Sequence, residues 1–575
     1  MAGVLPTLAA GFGVVAGASA AQPQSLPETV GPVLELPQFT VHGRADIPES
    51  DAWLYGSLPG FEVLSTASDR RTRRLLQEFR LFDEGLRVVW PIPRAVPARP
   101  VLLIVCGRGA DFARFEAGTK PPPRGTGRAT RWLQGGAQTA FVVDVATQSL
   151  DLAMPNVAME SALTGGTRRS PTGEDEEEEG TTALGDSFAE EGLSVDGGQQ
   201  LCREYVRYLL SRNEPRMPPW LEEGLAQIFM GMKVTPRTIT FARLTPSSQV
   251  PVDVEGDFNA ALRNRSLLSL GDFFAVARTS PLAEHAIGSA WAKQAQAFVH
   301  LGLYGRKGRF RPAFLQLVER ASRAPVTEAV FRECFGFGFK RMEMELREHV
   351  ELPQFDYFKF SLKSGSELGG EAIGPLRDAT PDEVGRMLGD ALALADERTA
   401  ALRELRLAYA RGAREARFLA ALGNAELAGG SASRGRELLE KAVAARVDRS
   451  EAHVALVQAR LAEITGELDA AHTAALLRVL FDARRDASPS AAVYRLMGVV
   501  WTHSQVTAAP ANLEVLYEGL AQFPGDADLA CSLAGLEIRL GHQGEARKLV
   551  AVGLRTVADE NLRARLLGLE MLLGK

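Results

Sequence analysis

The sequence predicts an α+β chain: a small α/β sheet layer leading into a helical lobe, then an all-α helical solenoid. Three observations carry this. Strand-length apolar runs, Val101-Leu-Leu-Ile-Val105 and Ala140-Phe-Val-Val-Asp-Val145, fall in the first third of the chain. From Leu201 the apolar residues take helical spacing, with Leu201, Val206, Leu209 and Leu210 on one face. From about Asp378 the composition turns rich in Ala, Leu, Arg and Glu, and a spacing of 34 residues recurs, the first step running from Leu422 to Leu456.

The chain has 575 residues, enough for about three or four domains, with 46% hydrophobic and 24% charged residues, as in ordinary globular proteins. The run Glu174-Asp-Glu-Glu-Glu-Glu179 holds as many acidic groups as the whole net charge of -6, so the remainder is balanced and offers no basic field for nucleic acid. Residues 1–20 are small and apolar and end in Ala18-Ser-Ala20, which resembles a secretory signal peptide without a basic start. The expected address is periplasmic or extracellular, or cytoplasmic if the leader is not functional. No later segment is apolar for 18 consecutive residues, so no integral membrane protein is expected. Cys106, Cys202, Cys334 and Cys531 are widely spread and form no CxxC pair; they read as free, buried thiols.

In chain order, residues 34–162 read as an N-terminal α/β lobe. Phe61-Glu-Val-Leu-Ser65 is a strand. Residues 66–86 form a helix that Ser68 or Asp69 caps, with Leu75, Leu76, Phe79 and Phe82 inward. A short helix over 110–117 follows the strand 101–105. The Gly turn Cys106-Gly-Arg-Gly109 lacks the full glycine pattern of a nucleotide site. Residues 163–198, which carry the acidic run, have too little apolar surface to fold alone and read as a solvated, disordered insertion. Residues 199–360 read as a helical lobe.

That lobe opens on Leu201-Cys-Arg-Glu-Tyr-Val-Arg-Tyr-Leu-Leu210 and Pro218-Pro-Trp-Leu-Glu-Glu-Gly-Leu-Ala-Gln-Ile-Phe229. Arg203 and Arg207 are four residues apart on one side of the first helix, and Glu204 lies near them. Gly224 lets another backbone approach the second helix closely. The segment Pro219-Trp-Leu-Glu-Glu-Gly-Leu-Ala226 resembles the third-ligand segment of gluzincin-type, peptidase-MA-like domains, and Arg203-Glu-Tyr-Val-Arg207 occupies the register of their His-Glu-x-x-His helix. The likeness of architecture spans roughly residues 34–352; the motif itself is confined to 201–229. The resemblance implies that Arg203 and Arg207 stand where the histidine ligands stand, Glu223 where the third ligand stands, and Glu204 where the water-polarising base stands. Arginine stays protonated and has no lone pair to give a metal. An arginine at the metal's place would pair with Glu223 or Glu204, Arg207 with Glu204 on the same helix. No metal, no cofactor and no catalytic residue are then expected, and Glu204 is vestigial. The alternative is an active zinc-metallopeptidase-type hydrolase with substitute ligands. No second His-Glu-x-x-His and no G-x-S-x-G occur. Cys202 has no neighbouring His in sequence.

Beyond the motif, residues 239–243 read as a strand, 267–274 and 289–303 as helices, and 306–350 as further helices closing the lobe. His300 reads as a hydrogen-bonded core residue, and His285 likewise. Residues 379–575 resemble tetratricopeptide repeats. Leu422-Gly423 with Gly435, Leu439 and Ala442 makes one unit, Met497-Gly498 opens another, and Leu533-Ala534 with Gly541, Ala546, Val550 and Gly553 makes the last. Small residues are needed where the two helices of a repeat touch; the stretch 462–490 is irregular. The resemblance implies a separable solenoid with a concave surface for a protein or peptide partner.

Overall fold

A computed structural model describes residues 51–574 except 91–98, 117–127, 137, 147–149, 153–192, 196, 214, 242–261, 263–265, 285–288, 352–357, 370–372 and 486–489. The leader, the acidic run and His285 lie outside the described residues. Strands β1 (Leu54–Leu58), β2 (Phe61–Ser65), β3 (Val101–Cys106), β4 (Thr130–Gly135), β5 (Gln138–Asp144) and β11 (Arg377–Asp378) form one mixed sheet in the order β11-β1-β2-β3-β5-β4. The parallel pairs are β2 with β3 and β3 with β5; the others are antiparallel. Smaller sheets join β6 (Leu150–Leu152) to β7 (Leu193–Val195), and β8 (Lys233–Val234), β9 (Thr238–Phe241) and β10 (Phe358–Ser361) to one another.

Every residue of β3 is buried, as expected of a central parallel strand covered on both faces. Its side chains alternate between two cores. Val101, Leu103 and Val105 pack with helix α1 (Asp69–Val89) and helix α3 (Gly197–Leu210), through Leu76, Phe79, Leu201 and Tyr205. Leu102, Ile104 and Cys106 pack on the opposite face with the short α2 (Gly109–Ala113) and with α10 (Pro381–Leu394), through Phe112, Met387, Leu388 and Leu392. Helix α10 is the first helix of the C-terminal region, so the sheet's second face is covered from beyond residue 379. An ion pair fastens it there: Arg386 donates to Glu62 on β2 at 3.0 and 2.8 Å. Ser68 caps α1 by accepting from the Arg71 N–H.

The helical lobe is built from α3, α4 (Pro219–Met230), α5 (Leu270–Ala275), α6 (Ala290–Leu303), α7 (Arg311–Ala321), α8 (Glu328–Phe335) and α9 (Phe339–Glu351). Trp220 anchors it among Phe274, Phe298 and Phe314, with ring centroids 5.4, 5.5 and 6.0 Å away. His300 on α6 is buried and its Nδ1 lies 3.0 Å from Nε2 of His349 on α9. Burial, then the charge of His300 and of Arg306, depresses the His349 pKa from 6.5 to about 3. The unfolded chain therefore takes up a proton below pH 6.5 that the folded chain refuses until about pH 3. Stability falls as pH drops through that window, by up to about 5 kcal/mol. Urea midpoints measured from pH 7 to pH 4 should fall less steeply in His349→Gln than in wild type. Equal slopes would show that the imidazole does not resist protonation.

The C-terminal region is a run of helix pairs: α10 with α11 (Arg398–Ala410), α12 (Ala416–Ala428) with α13 (Ala432–Ala444), α14 (Ser450–Leu461) with α15 (Ala470–Arg484), α16 (Ala491–Thr502) with α17 (Pro510–Gln522), and α18 (Ala527–Arg539) with α19 (Gln543–Thr556), closed by α20 (Glu560–Leu572). A Cβ placed on Gly423 would lie 3.1 Å from the Gly435 carbonyl oxygen, and one on Gly435 2.9 Å from that of Gly423, so α12 and α13 touch backbone to backbone. Gly430 and Gly541, at φ +86° and +83°, end α12 and α18 in the left-handed region and turn the chain into the second helix of each pair. Thr380 and Glu383 form a capping box at the start of α10. The protein is therefore mostly helical with a small mixed sheet. Cys106 and Cys531 are buried free thiols, and Cys202 and Cys334 are half-buried ones. Among the described residues no helix is long and apolar enough to cross a membrane.

Candidate functional site

Helix α4 starts at Pro219, whose fixed φ suits the first turn of a helix. It carries two adjacent buried carboxylates, Glu222 and Glu223, which turn to different partners. Glu222 pairs with Arg278 and, at 3.3 Å, with Arg216; Arg278 also donates to the Met217 carbonyl at 2.8 Å. Glu223 faces α3. Gly224 beside it allows α4 to lie on α6: a Cβ there would come within 2.6 Å of the Ala295 carbonyl oxygen and 2.5 Å of Val299.

All four side chains read from the sequence come together where α3 faces α4. Arg203 meets Glu223 with two parallel hydrogen bonds, Nε to Oε1 at 3.0 Å and Nη2 to Oε2 at 2.6 Å, the strong fork geometry of guanidinium on carboxylate. Its remaining terminal nitrogen, Nη1, donates to Glu204. Arg207 donates to Glu204 at 3.0 Å and stands 3.9 Å from Glu223. Two cations and two anions thus alternate in a closed cluster. Only Arg207, 19% exposed, reaches solvent appreciably; Arg203, Glu204 and Glu223 are 4, 10 and 2% exposed. Burial by itself raises the pKa of Glu223, but the charges of Arg203 and Arg207 and the hydrogen bonds from Arg203 and Gln227 outweigh it and hold the carboxyl below its ordinary value.

Two further members were not read from the sequence. Gln227, one turn after Glu223, donates Nε2 to Glu223 at 2.7 Å and accepts from Lys293 Nζ at 3.0 Å. Lys293 lies on α6 and is fully buried. Burial pulls its pKa well below the ordinary value and Arg203 adds to this, while Glu223 opposes it. The structure supplies the reason: α6 is buried on nearly every side, so a lysine there has no wet face to reach.

The donor set does not fit a metal ion. Arg203 and Arg207 offer guanidiniums, which have no lone pair for a metal, and both oxygens of Glu223 already accept hydrogen bonds from Arg203. Among the described residues no group of three or more His, Cys, Asp or Glu is placed to hold a metal. What the cluster does physically is join α3, α4 and α6 by a chain of charge-assisted bonds through the centre of the lobe.

No family model matches this chain, and no curated protein matches it. Solved structures of tetratricopeptide-repeat proteins are similar to about a third of it. YrrB, described as having an unusual peptide-binding site, is 14% identical, covers 32% of this chain and 93% of its own, with a TM-score of 0.27. Pseudomonas aeruginosa PilF is 17% identical over 34% of this chain and 82% of its own, with a TM-score of 0.28. TTC0263, a repeat protein of Thermus thermophilus, is 22% identical over 33% of this chain and 99% of its own, with a TM-score of 0.25.

Proposed function

We propose that this protein is a non-catalytic, exported binding scaffold: a pseudo-metallopeptidase lobe fused to tetratricopeptide-like repeats that hold a protein or peptide partner. The observation that carries the reading is the Arg203 guanidinium forked onto Glu223, with Arg207 beside it on Glu204. In the register of a zinc peptidase these are the ligand positions, and here they form salt bridges instead. Glu204 keeps the position of the general base, but its oxygens serve the two arginines. The helix pairs supply the scaffold, because stacked pairs leave an extended surface on which a chain can lie.

The test is elemental analysis of protein purified from its own host, with a peptidase assay beside it. The expected result is no stoichiometric zinc and no cleavage of a mixed peptide substrate. About one zinc per chain, lost on Glu223→Ala, would overturn the reading and restore the active hydrolase. The N-terminal sequence of the same preparation tests export: it begins at Ala21 if the leader is removed after Ala20.

A further inference from the structure

The outermost helix of the stack, α20, is apolar on two opposite sides. One side is packed: Leu562 and Leu566 are buried with Ala527 and Cys531 of α18 and against Leu554 of α19. The other side faces solvent, yet it carries Leu567, Met571 and Leu572 at 43, 77 and 74% exposure. Among the described residues no helix from α10 to α19 exposes a large apolar side chain. A stack of repeats stays soluble when its end presents a polar face, and a contiguous apolar face marks a surface that something else covers. The spacing on this face is that of a helix-pairing seam: Ala564, Leu567 and Met571 are three and four residues apart, and Leu572 widens the strip. Arg563 and Glu570 are both exposed and each stands one residue before a seam position, so they flank the seam on the same side. Arg563 has only an exposed contact with Glu560 at 3.9 Å and a bond to the Val557 carbonyl, and among the described residues Glu570 has no ion-pair partner. Gly568 lies beside Leu567 in the helix interior, where glycine is unfavourable, and a Cβ on it would meet no atom of this chain within 4 Å. Nothing inside the chain therefore requires the close approach that Gly568 permits.

We propose that α20 pairs antiparallel with α20 of a second copy of this chain and so joins two solenoids end to end. The occupant follows from the face being complementary to itself. A two-fold axis at Leu567 sets Leu567 of one copy against Leu567 of the second. The same rotation brings the large Met571 over the small Ala564 of the second copy, and Gly568 lets the two helices come close at the crossing. In an antiparallel pair related this way, each flank meets the same flank of the other helix. Glu570 of each copy therefore faces Arg563 of the other, and the two opposite charges are satisfied twice over. A parallel pairing would not set these two charges against each other.

The experiment is sedimentation equilibrium of the full-length protein between about 1 and 200 μM. A single pair of helices is a small interface, so wild type should pass from monomer to dimer with a dissociation constant on the order of 10 μM. Leu567→Asp changes an exposed side chain and should stay monomeric over the whole range with an unchanged circular dichroism spectrum. Glu570→Arg and Arg563→Glu, each measured by itself, should weaken the dimer about tenfold, because each sets like charges against one another. An equal mixture of those two variants should dimerise as wild type does. In the mixed dimer each arginine of one copy faces a glutamate of the other, and damage to folding would not be repaired by mixing. Wild type that remains a monomer at about 200 μM would overturn the proposal. A dimer that survives Leu567→Asp would place the interface elsewhere and overturn it equally. Loss of the dimer in Leu567→Asp without recovery in the mixture would overturn the antiparallel pairing.

Discussion

Arg203→Met destabilises the protein by about 3–5 kcal/mol, because it leaves a buried carboxylate without its principal counter-ion. Glu223 is 2% exposed, and its nearest other cation, Arg207, stands 3.9 Å away with its best bond directed to Glu204. Gln227 alone cannot replace a forked guanidinium. Glu223→Leu by itself has the converse fault, leaving Arg203 buried with only Glu204. The double variant Arg203→Met/Glu223→Leu should recover most of the loss, since a buried pair replaced by apolar groups of similar volume is often neutral. Urea denaturation of the four proteins gives the coupling directly. A loss below about 1 kcal/mol in the single Arg203 variant would mean that the cluster is solvated and that its closed geometry does not hold in solution. The same cluster has an acid limit. Glu223 titrates below its ordinary value, so its stabilisation is present above the unfolded carboxylate pKa and is lost as pH falls through the folded one.

Met387→Asp loosens the sheet and the first repeats together. Met387 is fully buried in the core that α10 shares with Leu64, Leu102, Ile104 and Val142 of the sheet, so an aspartate there is an unpaired charge in an apolar layer. The cost is about 4 kcal/mol or more, at the far end of what single substitutions do. Gly385 on the same helix lies against Ala408 and Phe418 of the next helices, which carries the damage into α11 and α12. Repeats interact mainly with their neighbours, so the effect should fade along the solenoid and spare α18 to α20. Hydrogen exchange read by mass spectrometry should show lost protection over 101–106 and over 401–423, with 527–556 near wild type. Native protection over 401–423 in this variant would mean that the repeats stand independently of the sheet. A fragment of residues 379–575, which the period alone marks as separable, carries the sheet-facing side of α10 bare.

The elements that local chemistry specifies could be read directly. The strand 101–105 is apolar at every position and α1 has one apolar stripe and a serine cap, so both are written in nearest-neighbour terms. Gly423 and Gly435 could be read for the same reason: a contact between two helices a few residues apart leaves a short-range mark of small side chains. Arg203, Arg207 and Glu204 could be placed together because a helix fixes which side chains share a face, whereas Glu223, on the next helix, could be set beside them only through the resemblance of its segment to a peptidase motif.

What tertiary structure alone decided is everything that joins distant segments. β1, β4 and β11 are short or polar, and they become strands only because a neighbour offers a hydrogen-bonding edge. That α10 closes the second face of the sheet across more than three hundred residues leaves no local sign, because its apolar stripe suits a sheet as well as another helix. Lys293 joins the buried cluster for the same reason. Its place beside Gln227 follows from α6 crossing α4 at Gly224, and a crossing is a property of two packed surfaces that neither segment encodes by itself.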